Sequence, residues 1–370
     1  MAGERKTTNN EASSAVRRWQ LGNLTPIVAM LAFALFGLLV DKSANAYTQL
    51  ILLYICVNII LTLGLNLVNG FTGQFSIGHA GFMAVGAYTS AWLSMNPTLR
   101  EMFLGGPFEA VGYLLFAYVG GLVAALAGWA VGLPSLRLRG DYLAIVTLGF
   151  SEIIRVVLLN TEAVGGARGM FGIPGPNEVE LLGFTLSPFL VMFLLAAFWV
   201  MTMFLFVWRL AYSVHGRAFM SVREDEIAAQ AMGVNTTGMK VRAFVISSFF
   251  AGVAGSLFAH AAHYLNPSTF GFTKSVDAII MVVLGGMGSL TGSVLAAVVV
   301  TVLPEFILRP LQEYTGVDLR MVIYSLTLII FMILRPQGIF GTREITDLFK
   351  DRTQRGLMRS RGRAPKESAP

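Results

Sequence analysis

Leu63–Phe82 reads LGLNLVNGFTGQFSIGHAGF, an apolar segment that gives way to Asn66, Asn69, Gly70, Thr72, Gly73, Gln74, Ser76, Gly78 and His79 and then turns apolar again. Backbone broken at membrane depth leaves amides and carbonyls without partners, which is tolerated only where protein or a water-filled cavity receives them. A second glycine break, Val282–Gly292 (VVLGGMGSLTG), lies in the C-terminal half. Paired interruptions of this kind point to a substrate path between discontinuous helices. The competing reading is that the glycines let helices approach closely, as the four-residue spacings Gly128/Gly132 and Gly288/Gly292 would allow.

The rest of the chain supports a membrane setting. Of 370 residues, 55% are hydrophobic and 13% charged, against about 25% charged in soluble domains. With a mean hydropathy of +0.67, this composition excludes disorder, a disulfide-stapled scaffold and most soluble enzymes, and leaves a polytopic membrane protein. The single cysteine, Cys56, sits in an apolar run and reads as a small packing residue. Ten runs are candidates to cross a bilayer. Seven are uninterrupted: Leu24–Val40, Tyr47–Val68, Val111–Leu133, Tyr142–Leu159, Pro188–Trp208, Ala243–Tyr264 and Leu319–Leu334. Three are shorter or glycine-broken: Ala80–Met95, Val276–Leu284 and Leu290–Leu308, the last with a kink expected at Pro304.

With both termini cytoplasmic, 20 of the 27 basic residues fall in inside segments and five outside. Cytoplasmic loops carry such an excess of lysine and arginine. The net charge of +6 therefore reports orientation rather than nucleic acid. The first run lacks a small-residue cleavage pattern and is expected to be a retained span. Residues 1–23 form a cytoplasmic tail, 24–341 the transmembrane domain, and 342–370 a basic disordered tail suited to anionic lipid. The longest inside loop, 209–242, is too short for an enzyme core.

No Gly-x-x-x-x-Gly-Lys-Ser/Thr occurs, so the chain offers no nucleotide site of that type. No Ser/His/Asp or HExxH arrangement stands out, and no catalytic residue is assigned. His260 and His263 lack a third ligand nearby, so no metal site is assigned. Asp141 is expected to cap a helix on which Glu152 and Arg155, three residues apart, form an ion pair. The alternative role for Glu152, and for Asp277 at the mouth of a broken run, is contact with substrate or a proton. The candidate pathway residues are thus Asn66, Asn69, Thr72, Gln74, Ser76, His79, Glu152 and Asp277. In the inside loop, Arg223, Glu224, Asp225 and Glu226 precede a short run of helix formers closed by Gly233, a rigid knob for a cytosolic partner or else a solvated loop helix.

Five stretches in order carry a resemblance: the quoted Leu63–Phe82; RLRGDYLAIVTLGFSEIIR (Arg137–Arg155); GRAFMSVREDEIAAQAMGVN (Gly216–Asn235); VVLGGMGSLTG; and RPQGIFG (Arg335–Gly341). Together they resemble the inner-membrane permease of branched-chain amino acid ABC transporters, the type paired with a second, related permease. The likeness runs from about Ile51 to Gly341. It implies an all-α polytopic fold of about ten transmembrane helices, some glycine-broken, like type II ABC importer permeases, in a bacterial inner membrane. It implies a second homologous permease, two ABC ATPases that bind the ATP and magnesium, and a periplasmic substrate-binding protein, with no cofactor on this chain. The segment with Glu226, Ala228, Ala229 and Gly233 resembles the EAA-type loop that docks in an ATPase groove, although the aligned triplet here is Ile227-Ala228-Ala229. Related permeases serve leucine-like amino acids, other amino acids and amides, and urea. The runner-up is an ion-coupled transporter acting alone, with Glu152 or Asp277 carrying a proton; a membrane enzyme comes third.

Overall fold

A computed structural model describes residues 29–308, apart from 105, 107–108, 137–140 and 182–183, together with scattered positions between 325 and 341. The two tails, the side chain of Asp141 and most of the run 319–334 lie outside the described residues.

The described chain is almost entirely helical: α1 (29–43), α2 (Ala46–Asn66) continuing as a π-helical turn (Leu67–Phe71), α3 (His79–Met95), α4 (Pro97–Leu104), α5 (Glu109–Ser135) and α6 (Asp141–Asn160). Then follow α7 (Pro188–Ala211), α8 (Val214–Glu224), α9 (Glu226–Ala231), α10 (Thr236–Ala262), α11 (Phe272–Gly285) and α12 (Leu290–Val302), which ends in a second π turn, Leu303–Leu308. Helices satisfy their backbone groups internally except at the ends, which suits a bilayer. Five are long and apolar enough to cross a membrane: Ala46–Phe71, Glu109–Ser135, Tyr142–Asn160, Pro188–Ala211 and Thr236–Ala262. The other described runs, in α1, α3, α11 and α12, form shorter helices.

Several starts are set by polar caps, although α2, α3 and α11 have none. Ser187 accepts from Leu190 N before Pro188, Ser213 from Gly216 N, Asn235 from Gly238 N and Ser289 from Gly292 N. Each side chain satisfies an amide that has no partner within its helix. The Asn235 cap moves the start of α10 seven residues upstream of the expected Ala243, because the polar turn Thr236–Arg242 is helical. At Pro304, where a kink is expected, the helix passes into the π turn.

The core sits around α10, which packs against α2, α3 and α5. Glycines set these distances: a Cβ on Gly86 would meet Gly252 O at 2.2 Å, and one on Gly255 would meet Met83 O at 1.9 Å. Backbones thus touch directly, as small-residue interfaces in membranes allow. Gly128 and Gly132 belong to this scheme, against Ser248 and Phe244 of α10. Gly288 and Gly292 do not act as one helical pair, because Gly288 lies in a turn at φ +93° outside α12. By contrast α6 exposes Tyr142, Ile145, Ile153 and Val157, a face for lipid or another subunit.

The glycine-rich loop after α6 holds two two-stranded antiparallel pairs. One joins Met170 to Leu265 and Phe171 to Tyr264, tying this loop to the end of α10. The other pairs residues 179–181 with 184–186.

Candidate functional site

The two broken segments meet. Asn66, fully buried at the end of α2, donates through Nδ2 to Ser289 O and to Ser293 Oγ, both at 2.9 Å, and accepts from Gly288 N at 2.8 Å. One side chain thereby occupies both amide hydrogens and its carbonyl, and satisfies backbone that the second break leaves open. A side chain at position 70 has no room, because a Cβ there would lie 2.4 Å from Gly288 N. From the RPQGIFG stretch, Ile339 N donates to Leu284 O beside the same break at 2.8 Å.

Loop 72–78 is satisfied piecemeal. Asn69 Oδ1 accepts from Ser76 N at 3.2 Å, Thr147 Oγ1 of α6 from Ile77 N at 3.1 Å, and Ser275 Oγ of α11 from Ala80 N at 3.4 Å. Thr72 Oγ1 donates back to Val68 O at 2.7 Å. His79 Nε2 lies 2.7 Å from Ser247 Oγ, which also donates to Gly64 O, so one contact ties α2, α3 and α10. The Gln74 amide is buried and finds no partner among the described residues. Asn66, Asn69, Thr72, Gln74, Ser76 and His79 are each at most 6% exposed. The break is therefore a packed junction rather than an open channel.

Arg223, the last residue but one of α8, reaches this junction. Its Nη1 donates to Gly70 O at 2.8 Å, and Cβ atoms built on Gly73 and Gly288 would meet its side chain at 3.0 and 2.9 Å. The Arg223 guanidinium therefore bonds the 209–242 loop to the first break and lies beside the second. Beyond it, Asp225 Oδ1 accepts from Ile227 N and Ala228 N, starting α9, and Glu226 Oε2 pairs with Lys240 Nζ at 2.7 Å, pinning α9 to α10. Ala229 is buried beneath, whereas Ile227 and Met232 are 69% and 84% exposed, and Ala228 is exposed beside them. Gly233 ends the segment at φ +85° with open space around it, so its need for glycine is conformational rather than steric within this chain. Glu224 is exposed, 4.0 Å from Arg223 Nε.

The remaining two candidates lie elsewhere. Glu152 Oε2 accepts from Arg155 Nε at 2.6 Å, the expected ion pair, on the outward-facing α6 and apart from the junction. Asp277 lines a cavity of about 350 Å³ along the N-terminal half of α2, bounded also by Asn58, Lys274 and Thr301. Lys274 Nζ donates to Asn58 Oδ1 at 3.1 Å, and Asn58 Nδ2 to Thr301 Oγ1 at 2.9 Å. Reading the sequence did not single out Lys274, Asn58 or Thr301. The available signal was a lysine one turn before an aspartate at the head of an apolar run. His260 and His263 bond separately, to Ser256 O and Ile173 O, and no cluster of three or more His, Cys, Asp or Glu side chains exists among the described residues.

The family profile described as branched-chain amino acid transport system / permease component matches residues 47–332. The chain is 37% identical to the high-affinity branched-chain amino acid transport system permease protein LivM of Escherichia coli (strain K12), covering 85% of this chain and 74% of that protein. It is 25% identical to a probable LivM of Methanocaldococcus jannaschii, covering 80% and 94%, and 24% identical to LivH of Escherichia coli, covering 77% and 92%. No solved structure matches. A profile match over this span and a relative of this identity show that the chain belongs to the branched-chain amino acid transport permease family.

Proposed function

We propose that this chain is one of two related permease subunits of an ABC importer for branched-chain amino acids, in a bacterial inner membrane, with both termini and the 209–242 loop in the cytoplasm. The permease names of its relatives support the substrate class and a pairing of LivM-like with LivH-like chains. Two ATPases bind ATP and magnesium and supply the energy, and a periplasmic protein delivers substrate. About ten helices cross between cytoplasmic tails at 1–23 and 342–370.

The observation that carries this reading is the reach of Arg223 from the inside loop to Gly70 and Gly288. In this scheme α9 presents Ile227, Ala228 and Met232 to an ATPase groove, where burying exposed apolar side chains favours docking. Movement of the docked segment acts through Arg223 on the two breaks, which Asn66 holds shut as the inner gate. Both sites would have to differ between two global states for this to be coupling. The break residues Asn69, Thr72, Gln74, Ser76 and His79 become path-lining when the junction parts; Asp277 lines the outer part. Glu152, already paired, serves α6.

Co-expression with neighbouring subunits and affinity capture through this chain tests the reading. A second permease and two nucleotide-binding subunits should co-purify, and proteoliposomes containing them should take up leucine only with ATP and binding protein. Uptake by this chain alone, driven by a pH gradient, would overturn it in favour of an ion-coupled carrier.

A further inference from the structure

The cavity between α2, α10, α11 and α12 lies along the N-terminal half of α2, from Tyr47 to Asn58, between 12 and 23 residues from the Arg223 contact at Gly70, or roughly 18–35 Å along the helix. Its volume of about 350 Å³ sits at the small end of the roughly 300–1,000 Å³ typical of ligand sites. Two opposite charges line it on one helix: Lys274 and Asp277, three residues apart and so on neighbouring faces of α11. Despite that spacing no ion-pair contact joins them within 4.0 Å, although each charge acts on the other across the gap. Lys274 is steered by the neutral Asn58 amide, itself fixed by Thr301, while Asp277 has no hydrogen-bond partner among the described residues. The third charge, Glu305, already accepts from Tyr47 OH.

A lysine held by a neutral amide and a carboxylate without a hydrogen-bond partner among the described residues form a split dipole, both ends open to one cavity. Ionised groups in an apolar setting need counter-charges. A ligand carrying both signs on one small centre satisfies the two together, whereas a simple anion or cation satisfies one and repels the other. Around these charges the wall is aliphatic and aromatic, from Ile51, Val57, Phe258, Met281 and Val300. We propose that this cavity is a binding site for a zwitterionic α-amino acid with an aliphatic side chain, its carboxylate on Lys274, its ammonium on Asp277 and its side chain against Met281 and Phe258. This deepens the transport reading and rests on it: the site is where the permease first holds substrate, on the side of the closed junction away from the inside loop.

The test uses the assembled transporter carrying Cys56→Ala and Leu50→Cys, since Leu50 lines the cavity without belonging to its charged network. Alkylation of Cys at position 50 by N-ethylmaleimide is followed by the mass of this chain. Millimolar L-leucine should slow alkylation roughly tenfold, as mass action predicts for a largely occupied site. Isopentylamine, lacking the carboxylate, and 4-methylpentanoate, lacking the ammonium, should leave the rate unchanged. Adding Lys274→Met or Asp277→Asn should abolish protection by leucine. Absence of protection in an assembly that still performs ATP-driven leucine uptake would overturn the site but not the transport reading. Equal protection by all three compounds would overturn recognition of the zwitterion. Leucine protection in an assembly that shows no ATP-driven uptake would support the site and overturn the transport reading.

Discussion

Replacing Arg223 by alanine removes the link between the 209–242 loop and the broken helices while leaving α8 and α9 free to form. The lost contact is a charge-assisted hydrogen bond from Nη1 to Gly70 O at 2.8 Å, with the Arg223 side chain 29% exposed. Hydrogen bonds to charged groups contribute about 1.5–3 kcal/mol, and partial exposure argues for the lower part of that range, about 2 kcal/mol. If the bond exists in one state of the transporter only, its loss changes the coupling between ATPase and gate by roughly 30-fold. The assay is the ratio of leucine taken up to ATP hydrolysed in proteoliposomes containing the full assembly and its binding protein. Hydrolysis should persist while uptake per ATP falls steeply, and Arg223→Lys should recover part of it because an ammonium still donates one bond. Gly288→Ala attacks the same contact from the other side, since its Cβ would lie 2.9 Å from Nη1 and its φ is +93°. The two changes should be strongly non-additive, as expected for residues in contact. An unchanged uptake ratio in Arg223→Ala, with normal assembly, would refute transmission through this residue.

Asn66→Leu keeps the branched outline but removes three hydrogen bonds, leaving the half-buried Gly288 N without its partner; a loss of about 2–4 kcal/mol is expected, read as a lower thermal midpoint of the purified assembly. Gly255→Ala should abolish stable expression, because its Cβ would sit 1.9 Å from Met83 O across the α3–α10 contact, whereas Gly149→Ala, with open space around it, should express normally. Gly233→Leu forces a left-handed backbone on a branched residue at a cost of about 1–2 kcal/mol, and ATP hydrolysis should continue without matching uptake. Ile227→Asp should weaken capture of the ATPase without altering the helical circular dichroism of the permease, because Ile227 is 69% exposed.

Much of the fold is legible along the chain because a membrane imposes a local rule: about 20 apolar residues per crossing, with backbone satisfied inside the helix. Tyr47–Val68, Val111–Leu133, Tyr142–Leu159 and Pro188–Trp208 match their helices to within a few residues for that reason. The start of α10 escapes the rule because its first turn is polar, and its signal is the cap Asn235 rather than hydropathy. The pair Glu152/Arg155 is also local, one turn apart on one helix. The junction is not local. Asn66 and Gly288 are separated by 222 positions, and no periodicity in either segment names the other.

By itself, then, the amino-acid order determined which long apolar segments are helical, where two of them break, and which loop carries exposed charge, since each follows from composition over a window of one helix or less. Only the tertiary structure decided that the two breaks close on each other through Asn66, that Arg223 touches both, and that Lys274 and Asp277 share a cavity without pairing. Those facts depend on how α2, α8, α11 and α12 pack. Packing is set by contacts between distant glycines and single polar side chains that carry no mark of their partners in the sequence.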